Sequence, residues 1–312
     1  TLMARDIFRK ATNIDPYKRV EEQDDNFDNL IHNWEDLKDD LILFLGAGAS
    51  VGSINESGYS LPNAYELRNQ IWSRFILHPS ERDAYDFSNL SLMSLEHAST
   101  LAEIKSSRRN LELFLAEKFQ IQKSLWQHGM LPFLNTKSIF TTNYDNLIEK
   151  GFHTVNYGKP LNSIFNNTTS LNSRFIPLYK PHGTIDYPHS KVSEGGFVIT
   201  QFDYYEIMDT RQKMLESFIS DFQNKCVIFI GYSLLDFDIA SILYNMARKN
   251  KTQCWYAVFP RNDSDVRNML RDKFGIRQIN KTFFNFIFDL DKATNIIPDK
   301  WKFENVDREL FQ

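Results

Sequence analysis

The stretch CVIFIGYSLLDFDIASILYNMARKNKTQCWYAVF, residues 226–259, decides the fold. CVIFIG (226–231) and CWYAVF (254–259) are short, continuous apolar runs, the pattern of strands buried on both faces. Between them LDFDIASILYNMARK carries apolar residues at three- and four-residue spacing, the pattern of a helix with one buried stripe. The alternation extends both ways, with a helix expected over Phe202–Phe222 before it and a helix SDVRNMLRDKF (264–274) and a strand IRQI (276–279) after it. Strands alternating with helices of ten or more residues predict a parallel sheet covered on both faces, hence a doubly wound α/β domain. LILFLG (41–46) reads as the first central strand, and SIFTTN (138–143) as another that runs directly into a helix beginning DNLIEKGF (145–152). VNYG (155–158), RFIPLYK (174–180) and GFVIT (196–200) are shorter strand candidates, separated by Asn/Ser/Thr-rich turns. Three segments between about residues 61 and 130 have helical spacing and are expected to form a helical subdomain inserted between the first two strong strands. Residues 1–40 are polar and acidic, with a weak stripe of Phe27, Leu30, Ile31 and Trp34 that predicts a helix laid against the body. The expected organisation is therefore an N-terminal helical segment 1–40, a domain over 41–290 with the insertion, and a C-terminal tail 291–312.

Composition narrows the function. The 312 residues are 42% hydrophobic and 24% charged, with a formal net charge of -4. A mildly acidic chain lacks the general Lys/Arg excess that carries affinity for phosphate backbones, so direct nucleic-acid binding is not expected. No apolar run reaches bilayer length and TLMARDIFRK lacks the apolar core of a secretion signal, so no membrane span and a cytoplasmic location are expected. Two cysteines, Cys226 and Cys254, cannot build a disulfide framework or a four-cysteine zinc ribbon, and both fall in apolar runs as buried thiols do.

Four polar sites fall at strand ends. In LFLGAGASVG (43–52) a buried strand opens into Gly46-x-Gly48, which lets backbone approach a phosphate while a following helix N-terminus offers N–H donors. Val51 stands at the third glycine position of GxGxxG and no GxxxxGK[ST] is present, which weighs against an ordinary dehydrogenase and a P-loop ATPase. FTTNYDNL (140–147) delivers Thr142, Asn143 and Asp145 to the carboxyl edge of the sheet, where open α/β folds bind ligands; the same residues are also good helix caps. YKPHGTID (179–186) fixes His182 between Pro181 and Gly183, and an imidazole titrating near neutrality can take a proton from water or a hydroxyl. IFIGYSLLDFD (228–238) ends a strand at Gly231 and Ser233, a close-approach glycine and a hydroxyl suited to phosphate or ribose.

In order, GAGAS, TTNYD, PHG and GYSLLD resemble the sirtuin-like family, over about Leu41 to Phe259. The resemblance implies a Rossmann-like, sirtuin-like sheet and NAD+ as substrate. It places Gly46, Ala47, Gly48 and Ser50 on the NAD+ phosphates, Thr142 in the same binding set, and Gly231 and Ser233 on the adenosine side. Asn143 and Asp145 would face the nicotinamide ribose and the attacking water, with His182 as base. Two departures separate this chain from the protein deacylases: there is no CxxC, so no zinc or other metal is expected, and SINESGYSLPNAYEL (53–67) replaces the GIPDFR run. The pattern is similar instead to the sirtuin-like NAD-hydrolase domains of bacterial anti-phage defence systems, which deplete cellular NAD. That implies an NAD+ hydrolase releasing nicotinamide and ADP-ribose, a homo-oligomer, and a defence partner such as a HerA-type ATPase or a short Argonaute. Deacylation, ADP-ribosyl transfer and a non-catalytic NAD or ADP-ribose sensor remain the alternatives, and NAD against NADP stays open.

Overall fold

Five consecutive residues, Leu41–Leu45, are all buried, which requires packing on both faces of one strand. The computed structural model, which describes residues 24–167, 172–187, 191–222, 225–232, 234, 237–249, 254–261 and 263–312, supplies both layers. The strands are β1 (Leu41–Leu45), β2 (Ser138–Thr141), β3 (Leu161–Ile164), β4 (Ile176–Tyr179), β5 (Cys226–Ile230), β6 (Trp255–Val258) and β7 (Ile276–Ile279). They form one seven-stranded sheet in the order β3-β4-β2-β1-β5-β6-β7, and every pairing is parallel.

Alternation along the strands sorts the core into two layers. Leu41, Leu43 and Leu45 join Ile139, Ile228 and Ile230 on one face. That face is covered by α1 (Asp25–His32) and two helices numbered below as they enter the chain. Ile42 and Phe44 point the other way, into Phe140, Val227 and Phe229. The Phe44 ring lies 4.9 Å from Phe140, 5.3 Å from Phe229 and 4.3 Å from Tyr232. Each such buried ring contributes about 1.5–3 kcal/mol relative to exposure, so this cluster binds the central strands firmly to their helical cover.

The insertion consists of α2 (Ala64–Ile71), α3 (Leu95–Lys105) and α4 (Arg108–Phe119), with short 3-10 and π turns between. Its core of Leu67, Ile71, Ala102, Leu111 and Leu115 also includes Tyr144, Ile185, Phe197 and Ile199, so the insertion packs onto the loops that follow β2 and β4. After β2 comes α5 (Leu147–Val155), which covers the β1 face through Ile148 and Phe152. The helix expected over Phe202–Phe222 is two, α6 (Gln201–Thr210) and α7 (Gln212–Phe222), broken at Arg211 with φ -124°. Then follow α8 (Phe237–Lys249), α9 (Ser264–Met269) and α10 (Phe283–Thr294), the last of which packs on the β1 face. α10 runs past residue 290, and beyond it Trp301 and Phe311 are buried while Trp126 Nε1 donates to the Trp301 carbonyl at 2.9 Å.

Two strand expectations are corrected. VNYG is the end of α5 and its left-handed cap at Asn156, and the edge strand is LNSI, a polar run of which only Ile164 is buried. GFVIT is buried but has no strand: Val198 N–H bonds the His182 carbonyl, and the Ile199 and Thr200 N–H groups bond the Asp203 carboxylate. No helix among the described residues is long and apolar enough to cross a membrane.

Candidate active site at the carboxyl edge of the sheet

From β1 the chain passes to β2, β3 and β4 on one side and only later to β5 on the other, so the strand order reverses around β1. A crevice outside the carboxyl ends of the strands at such a reversal is where open α/β sheets take ligands. Here the loops after β1 and β5 interlock. Gly46 N–H donates to the Ile230 carbonyl at 2.9 Å and Gly48 N–H to the Gly231 carbonyl at 2.8 Å. A Cβ on Gly46 would sit 2.7 Å from the Gly231 oxygen, and one on Gly231, at φ +60°, would run into the backbone of Gly48 and Ala49. The glycines are therefore fixed by loop-on-loop packing, whatever else approaches them. Gly46 opens a four-residue 3-10 turn, Ala47–Ser50, where the sequence predicted a helix N-terminus, and the next α-helix is α2. The Gly48 N–H is already spent on the Gly231 carbonyl, while Ala47 and Gly48 remain exposed.

The β2 end meets this turn. Asn143 Nδ2 donates to the Gly46 carbonyl and to Ser50 Oγ, both at 3.0 Å. Because a backbone carbonyl only accepts, the amide orientation is fixed, and Oδ1 has no partner among the described residues. Ser50 Oγ in turn donates to Asp145 Oδ2 at 2.8 Å, and Asp145 Oδ1 accepts from the Leu147 N–H at the start of α5. The structure thus joins Gly46, Ser50, Asn143 and Asp145 in one network; Thr142 lies half-buried beside it. Asp145 is 5% exposed, and burial pushes its carboxyl up, opposed by the Lys180 ammonium and the Ser50 bond.

Lys180 is completely buried, its Nζ donating to the Asp145 carbonyl at 2.6 Å and to Glu149 Oε1 at 2.9 Å. Burial also raises the Glu149 carboxyl, with Lys180 again opposing. His182 is 4% exposed and packs edge-on against Tyr204, and its ring makes no hydrogen bond to the Asn143 network among the described residues. Desolvation, then the Arg211 charge, pull its pKa down to about 3. The near-neutral titration expected of it gives way to an imidazole that is neutral throughout the physiological range. Gly183, at φ +88°, turns the chain sharply here, and a Cβ would press on the Gly196 carbonyl. Arg211, also fully buried, donates to the carbonyls of Lys180, Val192 and Gly196. Sequence reading missed Lys180, Glu149 and Arg211; the one available signal was a lysine breaking an apolar strand two residues before His182. Of the predicted set, Ser233 lies outside the described residues. Gly231 belongs to the interlocked loops.

Arg108 ties the insertion to this edge, bonding Glu112 at 2.9 Å, Asp203 at 2.8 Å and the Phe197 carbonyl. Cavities of about 470 Å³ beside Arg74 and Phe114 and about 190 Å³ beside Phe288 and Phe303 share no residue with the Asn143 network. Among the described residues no group of three or more His, Cys, Asp or Glu could hold a metal ion.

Residues 137–279, which include β2, His182 and β5, match the model of the SIR2-like domain. That domain is related to proteins named NAD(+) hydrolase ThsA. The one from Bacillus cereus (strain MSX-D12) is 28% identical over 144 residues, 45% of this chain and 29% of the relative. The one from Enterococcus faecium is 29% identical over 140 residues, 44% of this chain and 28% of the relative. The matched stretch thus spans less than a third of either relative. A structure described as a basis for the mechanism and regulation of Sir2 enzymes superimposes with a TM-score of 0.50 at 13% identity, over 88% of this chain and 98% of that one, a likeness of fold.

Proposed function

We propose that the chain hydrolyses NAD+ at the nicotinamide–ribose bond, releasing nicotinamide and ADP-ribose. The observation that carries this reading is the Asn143 amide: both N–H bonds are spent inside the protein, so the side chain offers its Oδ1 as an acceptor at the sheet edge. An acceptor there orients a water or a ribose hydroxyl. Nicotinamide leaves as a neutral molecule from a pyridinium, so no general acid is required. The ribose becomes cationic as the bond breaks, and preorganised dipoles stabilise such a charge. Asn143 Oδ1 holds the water, and the carboxylate of Asp145, one hydroxyl behind, adds negative charge near the developing cation. His182, kept neutral, does not repel the pyridinium, and the proton that water loses after it bonds to the ribose carbon passes to solvent water. The balance is NAD+ plus water giving nicotinamide, ADP-ribose and a proton.

With this activity goes a cellular role, drawn from the family resemblance: a cytoplasmic effector that depletes NAD in a phage-infected bacterium, acting as a homo-oligomer with a sensing partner. The test is nicotinamide release by the purified chain. Asn143→Ala is expected to lower kcat by about 100-fold or more while the fold, read by circular dichroism, is kept. Full turnover in Asn143→Ala would sink the mechanism, ADP-ribose recovered on protein rather than free would turn the reading to transfer, and a monomer at all concentrations in sedimentation would remove the oligomer.

A further inference from the structure

A buried ammonium costs several kcal/mol of desolvation, and a well-packed apolar side chain usually serves a fold as well or better. Lys180 is nevertheless completely buried, two residues before His182, and its Nζ has two partners among the described residues, the Asp145 carbonyl and Glu149 Oε1. A methionine of similar length would fill the volume; it would not supply a positive charge beside Asp145. That charge controls the direction of the hydrogen bonds ahead of it. An ionised carboxylate only accepts, so Ser50 must donate to Asp145 Oδ2, and its oxygen is left to accept from Asn143 Nδ2. A protonated Asp145 becomes a donor and the Ser50 hydroxyl is released to seek another acceptor, which leaves the Gly46 carbonyl to hold the Asn143 amide by one bond instead of two.

We propose that Lys180 is the positioning residue of this site: held between the Asp145 carbonyl and the Glu149 carboxylate, its ammonium keeps Asp145 an anion and so keeps Ser50 Oγ an acceptor for Asn143, the second of the two bonds that hold the amide. Every group around the pair takes part. The Asp145 carboxylate accepts from Ser50 of the β1 turn and from the Leu147 N–H of α5, while Lys180 from the end of β4 bonds the Asp145 main-chain carbonyl and acts on the carboxylate through its charge. Glu149 shares the ammonium from α5, accepts from Ser163 Oγ of β3 at 3.4 Å, and lies near Asp186, which is itself bonded by Asn146 at 2.6 Å. On the far side the Arg211 guanidinium reaches the Lys180 carbonyl at 3.5 Å. The bearing of Lys180 on turnover rests on the hydrolase reading; its effect on Asp145 does not.

The experiment separates the two. In protein labelled with 13Cγ-aspartate, the Asp145 carboxyl resonance is assigned by its loss in Asp145→Asn and titrated in each variant. Lys180→Met is expected to raise the Asp145 midpoint by about one pH unit or more, because burial then acts unopposed. Glu149→Gln is expected to lower it, because a competing anion is gone. Should Lys180→Met not fold, Lys180→Met with Glu149→Gln removes both charges and is expected to raise the midpoint as well. A midpoint that stays within about 0.3 unit of wild type in a folded Lys180 variant overturns the proposal, with or without turnover. Nicotinamide release measured in parallel is expected to show kcat down about tenfold or more, with KM for NAD+ changed less than about threefold and the acid limb of the pH profile moved up. An unmoved acid limb in a variant that still turns over also overturns it, since a purely structural loss lowers the rate at every pH alike. Wild-type protein that releases no nicotinamide overturns the hydrolase reading, and the carboxyl titration still decides the role of Lys180.

Discussion

Two completely buried cations flank His182, Lys180 two residues before it and Arg211 acting on it through its charge, and they are held in opposite ways. Lys180 reaches a carboxylate and a carbonyl, whereas Arg211 reaches three carbonyls, with Asp203 acting on it only at longer range. Beside Lys180 the neighbours are carboxyls that burial alone would protonate, and the cation resists that. Beside Arg211 the neighbour is an imidazole, and the same sign of charge helps desolvation keep it neutral. One kind of group thus enforces ionisation on one side of the site and neutrality on the other. The unequal satisfaction shows in Arg211 itself: its pKa is lowered to about 10, and its Nε is buried without a partner among the described residues.

The contrast breaks most readily at Arg211. Arg211→Met leaves three buried carbonyls short of a donor, and the expected loss in a urea titration is about 3–5 kcal/mol. In the fraction that stays folded, the His182 imidazole followed by NMR is expected to titrate above about 3 but still below its ordinary range, since desolvation, the larger cause, remains; an unchanged midpoint would mean that burial alone sets it.

Acid sharpens the comparison next. His128 and His182 both have pKa values lowered to about 3 from an ordinary 6.5. For a base whose folded pKa is depressed, the unfolded chain binds the proton first, so stability is full above 6.5 and falls as pH drops toward about 3. Between pH 7 and 5 each histidine is expected to remove about 2 kcal/mol, and His182→Gln should cancel half of the combined loss. Asp145 and Glu149 act in the other direction, because their raised folded pKa values add stability as pH falls, so a flat wild-type profile that turns upward with falling pH in His182→Gln would mean that the carboxyls offset the imidazoles.

The smallest effect concerns the segment beneath His182. Thr200 caps α6 through a reciprocal box with Asp203, and Thr200→Ala is expected to cost about 1 kcal/mol in the same titration. Asp203 also binds Arg108 and two N–H groups of the 197–200 segment, so a loss several times larger would mean that this cap holds more than one helix end.

Why the strands were legible and the buried cations were not has one physical origin. β1, β5 and β6 are continuous apolar runs whose burial follows from composition, β2 has an apolar centre at Ile139 and Phe140, and all four lie where the sequence placed them. β3 escaped because an edge strand with three half-exposed residues carries little apolar signal. GFVIT misled because burial alone does not make a strand; its N–H groups are satisfied by a helix cap and by the Lys191 and His182 carbonyls. At the site, Asn143 and Asp145 stood out as polar residues at a strand end, and the structure joins them through Ser50. Lys180 and Arg211 were invisible because lysine and arginine are so rarely buried that a sequence reading assigns them to solvent. Only coordinates reveal where such a side chain ends.

The interlocked glycines have a consequence for sequence variation. Gly46, Gly48 and Gly231 are required by one another's backbones, so a saturation library scored only for soluble, folded protein will already reject nearly every replacement at these three positions. Intolerance there reports on assembly of the two halves of the sheet. Positions such as Asn143, whose side chain is half-buried and whose acceptor is unspent, are the ones at which a screen for folding and a screen for chemistry will part company.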